Sequence, residues 1–218
     1  MKIDVKQLSV GAGSAQRVLV QGLVLDCPTG SITTLMGPSG CGKSSLLAAI
    51  AGLPLPGLQA DIHVELAGRR VDQLPTSQRR IGLLFQDDLL FAHMSVRENL
   101  LFAASPGTSA KRAMQTDAAL AELGFEAMAE RNPLTLSGGQ RARVSLMRTL
   151  LSEPQALLLD EPFSKLDVAL REQFRQFVFA HVRRLQLPTL LVTHDAADIA
   201  DASKVIDFAS FIGVTPAQ

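Results

Sequence analysis

Apolar positions near the start of the chain alternate with polar ones. Ile3, Val5, Leu8 and Val10, then Val18, Val20, Leu23 and Leu25, predict two short strands separated by Gly11-Ala12-Gly13-Ser14. Asp26-Cys27-Pro28-Thr29-Gly30 predicts a turn and residues 31–36 a third, more apolar strand. A helical run follows at residues 46–51. Residues 61–66 and 81–85 predict further strands; the latter is almost wholly apolar, as a buried central strand should be, and Gln86 ends it.

From residue 87 to 152 the pattern turns helical, with loops at Ser105-Pro106-Gly107 and Asn132-Pro133. Ala113, Met114, Asp117, Leu120 and Ala121 fall at helical spacing within 110–123, and Val144, Leu146, Met147, Leu150 and Leu151 repeat the rhythm after Ser137. Strand patterns return at residues 156–160 and 189–193. Between them Leu166, Leu170, Phe174, Phe177, Val178, Val182 and Leu185 step by three and four, a helix for which Asp167 is the expected N-cap. Strands alternating with helices predict a largely parallel sheet.

Composition narrows the picture. The 218 residues suffice for one large α/β domain or two small ones, and no flexible linker divides them, so one folding unit over 1–218 is expected. Twenty-one acidic residues balance 21 basic ones, which leaves no field to attract nucleic acid or an anionic membrane. Hydrophobic content is 47%, but glycines and prolines break the richest apolar run, residues 46–58, well short of a membrane span. The first residues lack the apolar core of a secretory signal, and Cys27 and Cys41 alone suggest no disulfide scaffold; a cytosolic location is the expectation.

The stretch Gly37-Pro38-Ser39-Gly40-Cys41-Gly42-Lys43-Ser44-Ser45 supplies the chemistry. It fits G-x-x-x-x-G-K-[ST] between a predicted strand and a predicted helix, where glycines let successive N–H groups turn toward phosphate oxygens and the helix adds its positive dipole end. Lys43 then neutralises β- and γ-phosphates, and the Ser44 hydroxyl ligates a bridging Mg2+. Outside that context the pattern is a glycine-rich turn with a half-exposed lysine. Cys41, beside an anion site at a helix N-terminus, is either an alkylatable thiol or simply a small residue that fits the loop.

Further motifs carry a family resemblance. Leu136-Ser137-Gly138-Gly139-Gln140 resembles the signature of ATP-binding cassette proteins, and about twenty positions later Leu157-Leu158-Leu159-Asp160-Glu161-Pro162 resembles their Walker B strand. Gln86 stands in the Q-loop position, Ser164-Lys165-Leu166-Asp167 resembles the D-loop, and His194 in Val192-Thr193-His194-Asp195 resembles the H-loop. The resemblance spans roughly residues 8–211. It implies an α/β P-loop NTPase core with a mostly parallel sheet, an N-terminal antiparallel β subdomain, and an α-helical subdomain inserted at about 87–152.

For this chain the resemblance implies Mg2+-dependent ATP hydrolysis. Asp160 is the expected metal ligand with Ser44, Glu161 the acceptor of a proton from the attacking water, Gln86 an orderer of that water or a member of the metal shell, and His194 a donor to the γ-phosphate. Taken singly these have duller readings: an Asp-Glu pair at a strand end is usually a solvated loop, Gln86 a polar strand terminus, and His194 the cap of a helix at residues 195–202. Ser137-Gly138-Gly139 opens a helix and makes a second anion site. The resemblance implies that it serves a second copy's nucleotide in a head-to-tail dimer, with Gln140 beside it and Asp167 at the interface. It also implies a separate membrane permease, a solute-binding protein, and a peripheral position on the inner face of the membrane.

The chain departs from the family where an aromatic residue usually stacks on adenine. No Phe precedes Phe85, Tyr and Trp are absent, and Arg17 or Val18 is the expected cover. Residues 87–100 resemble the segment of importer cassettes that receives a permease helix, with Leu89, Leu90, Phe91 and Met94 as its apolar wall; ordinary subdomain packing accounts for them equally well. The short form looks closest to small cassettes of the thiamine, iron or polyamine importer type, including the YnjD group. The expected function is the ATP-hydrolysing subunit of a bacterial transporter, most simply an importer. The alternatives are a soluble cassette acting on nucleic acid or ribosomes, and a metabolite kinase; the first meets neither a second cassette nor a long coiled coil here, and the second leaves residues 136–140 and His194 without work.

Overall fold

The computed structural model describes residues 1–13 and 16–212, so Ser14 of the glycine-rich interval lies outside the described residues. Two compact units emerge: Met1–Leu83 with Gln155–Glu161 and the chain from Phe179 onward, and Leu84–Pro154 with Pro162–Val178.

The first unit holds two sheets. Strands β1 (Lys2–Val10), β2 (Arg17–Asp26), β4 (Leu58–Leu66) and β5 (Arg69–Arg70) form one, in the order β2-β1-β4-β5. Its pairings are antiparallel, with Leu8 opposite Val20 on one side and Ala60 on the other. The second sheet joins β6 (Ile81–Leu84), β7 (Ala156–Asp160), β8 (Thr189–Thr193), β3 (Ile32–Met36) and β9 (Val205–Asp207), in the order β6-β7-β8-β3-β9. The pairs β7–β8, β8–β3 and β3–β9 are parallel.

Helix α1 (Lys43–Ala51) follows β3, and seven of its nine residues are buried. Leu46, Leu47 and Ile50 join one core with Ile3, Val5 and Leu8 of β1, Val64 of β4, Leu158 of β7 and Leu190 of β8. A helix apolar all round belongs inside a protein, and here both sheets of this unit supply the cover. The short helix α2 (Thr76–Arg79) leads into β6.

The second unit is helical. Val96 and Leu100 of α3 (Val96–Ala103), Leu120 and Leu123 of α4 (Ser109–Leu123), and Val144 and Met147 of α5 (Gly138–Leu151) share a core with Phe125. Helix α3 starts with a capping box in which Glu98 N–H donates to Ser95 Oγ at 3.2 Å and Ser95 N–H donates to Glu98 Oε2 at 2.6 Å. Asn99 is buried and pins the preceding loop, accepting from Phe91 N–H at 2.8 Å and donating to Ser95 O at 2.9 Å. Helix α6 (Val168–Arg184) belongs to this unit as far as Val178 and is capped by Asp167, whose Oδ1 accepts from Leu170 N–H at 3.0 Å.

Four sequence expectations need correction. Strand β6 ends its sheet instead of lying centrally, and its residues alternate between half-buried and buried, so an apolar run did not mean two covered faces. In α4 the inward face is Thr116, Ala119, Leu120 and Leu123, whereas Met114 is 66% exposed. Thr116 tolerates that burial because its hydroxyl donates to Arg112 O at 3.0 Å within the helix. No helix spans 195–202: Asp195 and Asp201 each cap their own short 3-10 turn, at Ala196–Asp198 and Ala202–Lys204, and Ile199 between them is extended. Leu185 lies beyond α6 and is exposed. The three-residue β9, too short to show a period, went unseen in the sequence.

Candidate functional site

The C-terminal ends of three parallel strands meet at one edge of the second sheet. Met36 of β3 stands level with Thr193 of β8, and Asp160 of β7 with Val192. Ligands of open α/β sheets bind outside that edge. The Gly37–Ser45 loop leaves β3 here and enters α1 at Gly42, whose φ of 107° suits glycine alone. A side chain at Gly42 would also meet Leu19 of β2, with a Cβ only 3.2 Å from the Leu19 Cβ. Phe208, fully buried, backs Gly37 in the same way, at 3.2 Å from where a Cβ would lie. Sequence reading found the loop but not these two supports, which come from distant parts of the chain.

Five of the expected side chains gather around the loop. Lys43 is buried, and its Nζ donates to Gly37 O at 2.8 Å and Pro38 O at 2.7 Å, with Glu161 Oε1 at 3.7 Å. Ser44 Oγ donates to Asp160 Oδ1 at 3.0 Å across the intervening strand β8. Glu161 Oε2 lies 3.0 Å from His194 Nδ1. Glu161 itself has φ 45°, a left-handed backbone uncommon for a residue with a side chain, and its N–H donates to Val192 O at 3.0 Å. His194 sits on a short loop tied by Thr193, which donates to Asp198 Oδ2 at 2.7 Å and accepts from Asp195 N–H at 3.1 Å. The buried Thr193–Asp198 pair escaped the sequence reading, since no local pattern announces it.

Burial pushes the Asp160 carboxyl above the usual carboxylate range; Glu161 adds to the shift, and the Ser44 hydroxyl and Lys43 oppose it. A desolvated carboxylate with a hydroxyl 3.0 Å away offers two hard oxygen donors and an incompletely compensated charge. That donor set fits Mg2+, whose remaining coordination phosphate and water would fill. Cys41 is buried at 6% exposure with Sγ 3.8 Å from Lys43 Nζ, which favours the small residue that fits the loop over the alkylatable thiol. Arg17 is exposed at the head of β2 and Val18 half-buried, two residues and one residue ahead of Leu19.

The other expected residues belong to the second unit. Ser137 caps α5: Gln140 N–H donates to Ser137 Oγ at 3.3 Å, while Gln140 Oε1 accepts from Ser137 N–H at 2.9 Å. Gln140 is thereby committed to the turn. Gly138 and Gly139 keep the helix start close to Leu166 and Leu170, a Cβ on Gly139 lying 3.3 Å from Leu170 Cδ2. Gln86 Nε2 donates to Ser164 Oγ at 3.2 Å, and Asp87 pairs with Lys165 beside it. A cavity of about 280 Å³ opens among Gln86, Asp88, Arg141, Lys165 and Phe174. Phe91 packs edge-on against Phe102 at 5.0 Å and lies under the Arg148 guanidinium at 5.3 Å, whereas Leu89 is 52% and Phe102 61% exposed.

A glycine loop at the strand ends, a lysine tucked inside it and a hydroxyl–carboxylate pair across the edge define a phosphate-loop nucleotide protein. Residues 20–164 match the model of the ABC transporter family, and the chain belongs to that family. Members hydrolyse ATP to power transport, and this chain is the ATP-binding, ATP-hydrolysing subunit of a bacterial transporter. It is 52% identical over 185 residues to the ABC transporter ATP-binding protein YnjD of Escherichia coli (strain K12), covering 84% of each chain. It is 42% identical over 175 residues to the molybdenum import ATP-binding protein ModC of Rhodopseudomonas palustris (strain HaA2), covering 79% of this chain and 46% of ModC. The chain thus spans most of YnjD and about half of ModC. The fold matches the dimeric post-hydrolysis structure of the ATP-binding cassette MJ0796 bound to ADP and Pi, with a TM-score of 0.75 at 26% identity over 95% of this chain and 94% of that one. No helix among the described residues is long and apolar enough to cross a membrane.

Proposed function

We propose that the chain energises import: two copies bind two ATP·Mg2+ between them, and closing and opening of the pair drives a separate permease. The observation that carries this reading is the gathering of Lys43, Ser44, Asp160, Glu161 and His194 around one glycine loop.

In the reading, loop amides from Gly37, Pro38, Ser39, Gly40, Cys41 and Gly42 with those of Lys43, Ser44 and Ser45 cradle the phosphates. Lys43 exchanges its bonds to Gly37 O and Pro38 O for β- and γ-phosphate oxygens. Ser44 and Asp160 would hold Mg2+. The metal supplies charge neutralisation at the phosphates. Glu161 accepts the proton of the attacking water. His194, whose Nδ1 lies 3.0 Å from Glu161 Oε2, is the donor to the γ-phosphate. Ser137, Gly138, Gly139 and Gln140 of a second copy present their helix end to the same nucleotide, and Asp167 lines the contact between copies. Support for the pair comes from the dimeric MJ0796 cassette structures.

The permease, a solute-binding protein and a peripheral place on the inner membrane face follow the importer relatives, whose names include molybdenum, sulfate/thiosulfate and maltose/maltodextrin import. The exposed Leu89 and Phe102, near Phe91, offer an apolar face for a permease segment.

Glu161→Gln tests the core of the proposal. It should bind ATP·Mg2+, hydrolyse it about 10²- to 10³-fold more slowly, and elute as a dimer on size exclusion with ATP. A variant that remains monomeric at saturating ATP and Mg2+ would sink the shared-nucleotide arrangement.

A further inference from the structure

We propose that Arg79 is a positioning residue for the phosphate loop: it clamps the far end of α1 and joins it to the chain that feeds α2. The inference rests on the reading of that loop as the nucleotide site. Arg79 ends α2, one residue before β6 begins. Its Nη1 donates to Ala49 O at 3.0 Å and Ile50 O at 2.8 Å, both in the last turn of α1. Its Nε donates to Leu74 O at 2.9 Å and its Nη2 to Asp72 O at 2.6 Å. One guanidinium therefore binds four carbonyls, two on the helix and two on the chain that feeds α2.

Neighbouring residues are shaped around this clamp. Helix α1 has no basic residue in its own last turn, so the cation that meets its negative end comes from outside the helix. Gly52 follows α1 with φ 76°, and a Cβ there would lie 2.5 Å from Arg79 Cζ and 2.6 Å from Nε. Thr76, at the start of α2, donates its hydroxyl to Gly52 O. Burial presses the Arg79 pKa below its ordinary value, and Asp72 partly opposes it.

The physical need for a clamp follows from how α1 is held. Its apolar residues are covered on nearly every side, and such contacts are non-directional: they keep the helix inside without fixing its position along its axis. Charge-assisted hydrogen bonds at one end are directional and do fix it. Because the helix is stiff, a slip at Ala49 and Ile50 is passed to Lys43 and Ser44 at the other end. The same guanidinium anchors the segment that feeds α2 and continues into β6.

The test compares wild type, Arg79→Ala, Arg79→Lys and Leu120→Ala in the full chain, by calorimetric titration of MgADP, steady-state ATPase and melting temperature. Leu120 is buried in the helical core and truncating it destabilises the protein without touching α1. Arg79→Ala should weaken MgADP binding and raise the KM for ATP about tenfold, with kcat within about threefold, and Arg79→Lys should fall between it and wild type. Leu120→Ala should lower the melting temperature and bind MgADP like wild type. The clamp is refuted by a folded Arg79→Ala, or failing that Arg79→Lys, that binds within twofold of wild type, or by Leu120→Ala losing affinity in step with its melting temperature. Wild type that binds no MgADP at all would overturn the nucleotide site and the clamp with it.

Discussion

Cys27 is buried and Arg17 exposed, and each makes a prediction. Cys27 is fully buried, and burial pushes its thiol from 9.0 up to about 11, with Thr33 opposing. Between those values the unfolded chain gives up its proton and the folded one does not. Stability from this group is therefore complete below pH 9 and drains away as pH rises toward 11, by about 2 to 3 kcal/mol. Urea unfolding of Cys27→Ala from pH 8 to 11 should show an alkaline decline shallower by about that amount; a parallel decline would mean that the thiol is not the cause. Arg17 lies exposed near Leu19, which packs at the entrance to α1. If its guanidinium covers the base by stacking, which every purine permits, wild type should prefer ATP over GTP by less than about tenfold, and Arg17→Ala should weaken both alike. A strong preference for ATP in a titration would remove the stacking idea. The residues that gather around the phosphate loop were legible at this scale because Gly37–Ser45, Asp160, Glu161 and His194 belong to local patterns. Leu19, Phe208 and the Thr193–Asp198 pair were illegible because their partners are far away in sequence or too weakly patterned to notice.

At the scale of elements, the boundaries that sequence could predict are those carrying their own capping chemistry. Asp167, the expected N-cap, opens α6, whereas the Ser95–Glu98 capping box that opens α3 is just as local but was not read from the sequence. Ser95→Ala should cost about 1 kcal/mol in denaturant unfolding, the typical worth of an N-cap, and leave the affinity for MgADP unchanged. Asp167→Ala should cost about the same in the nucleotide-free chain. A further loss, appearing only in the ATP-dependent dimer of a Glu161→Gln background, would report its contact with the second copy. Equal monomer–dimer equilibria with and without Asp167 would leave it a cap and nothing more. The elements misread from sequence share a cause. An apolar run records hydrophobicity but not which faces are covered, so β6 passed for a central strand; in α4 the stripe was read through Met114, and packing with α3 and α5 buries the one through Thr116 and Leu120 instead.

For the whole molecule, the proposed permease contact is the open question that substitution can address. Phe102 is 61% exposed beside Phe91 and lies in a unit that holds none of the residues gathered at the phosphate loop. Phe102→Ser should reduce co-purification with the permease by severalfold while leaving basal ATPase within about twofold. Undiminished co-purification would move the docking surface elsewhere.

The sequence by itself determined the α/β class, the phosphate loop, most strands and helices, and the family, because hydrophobic period, glycine placement and capping residues act over a few neighbours. Only the tertiary structure decided which strand ends meet at one edge, that Asp160 reaches Ser44 across β8, that Glu161 holds both Lys43 and His194, and that Arg79 grips α1. Those relations depend on strand order and on side chains arriving from remote segments. Sheet order follows from how every apolar face in the chain is covered at once, a condition no local stretch contains.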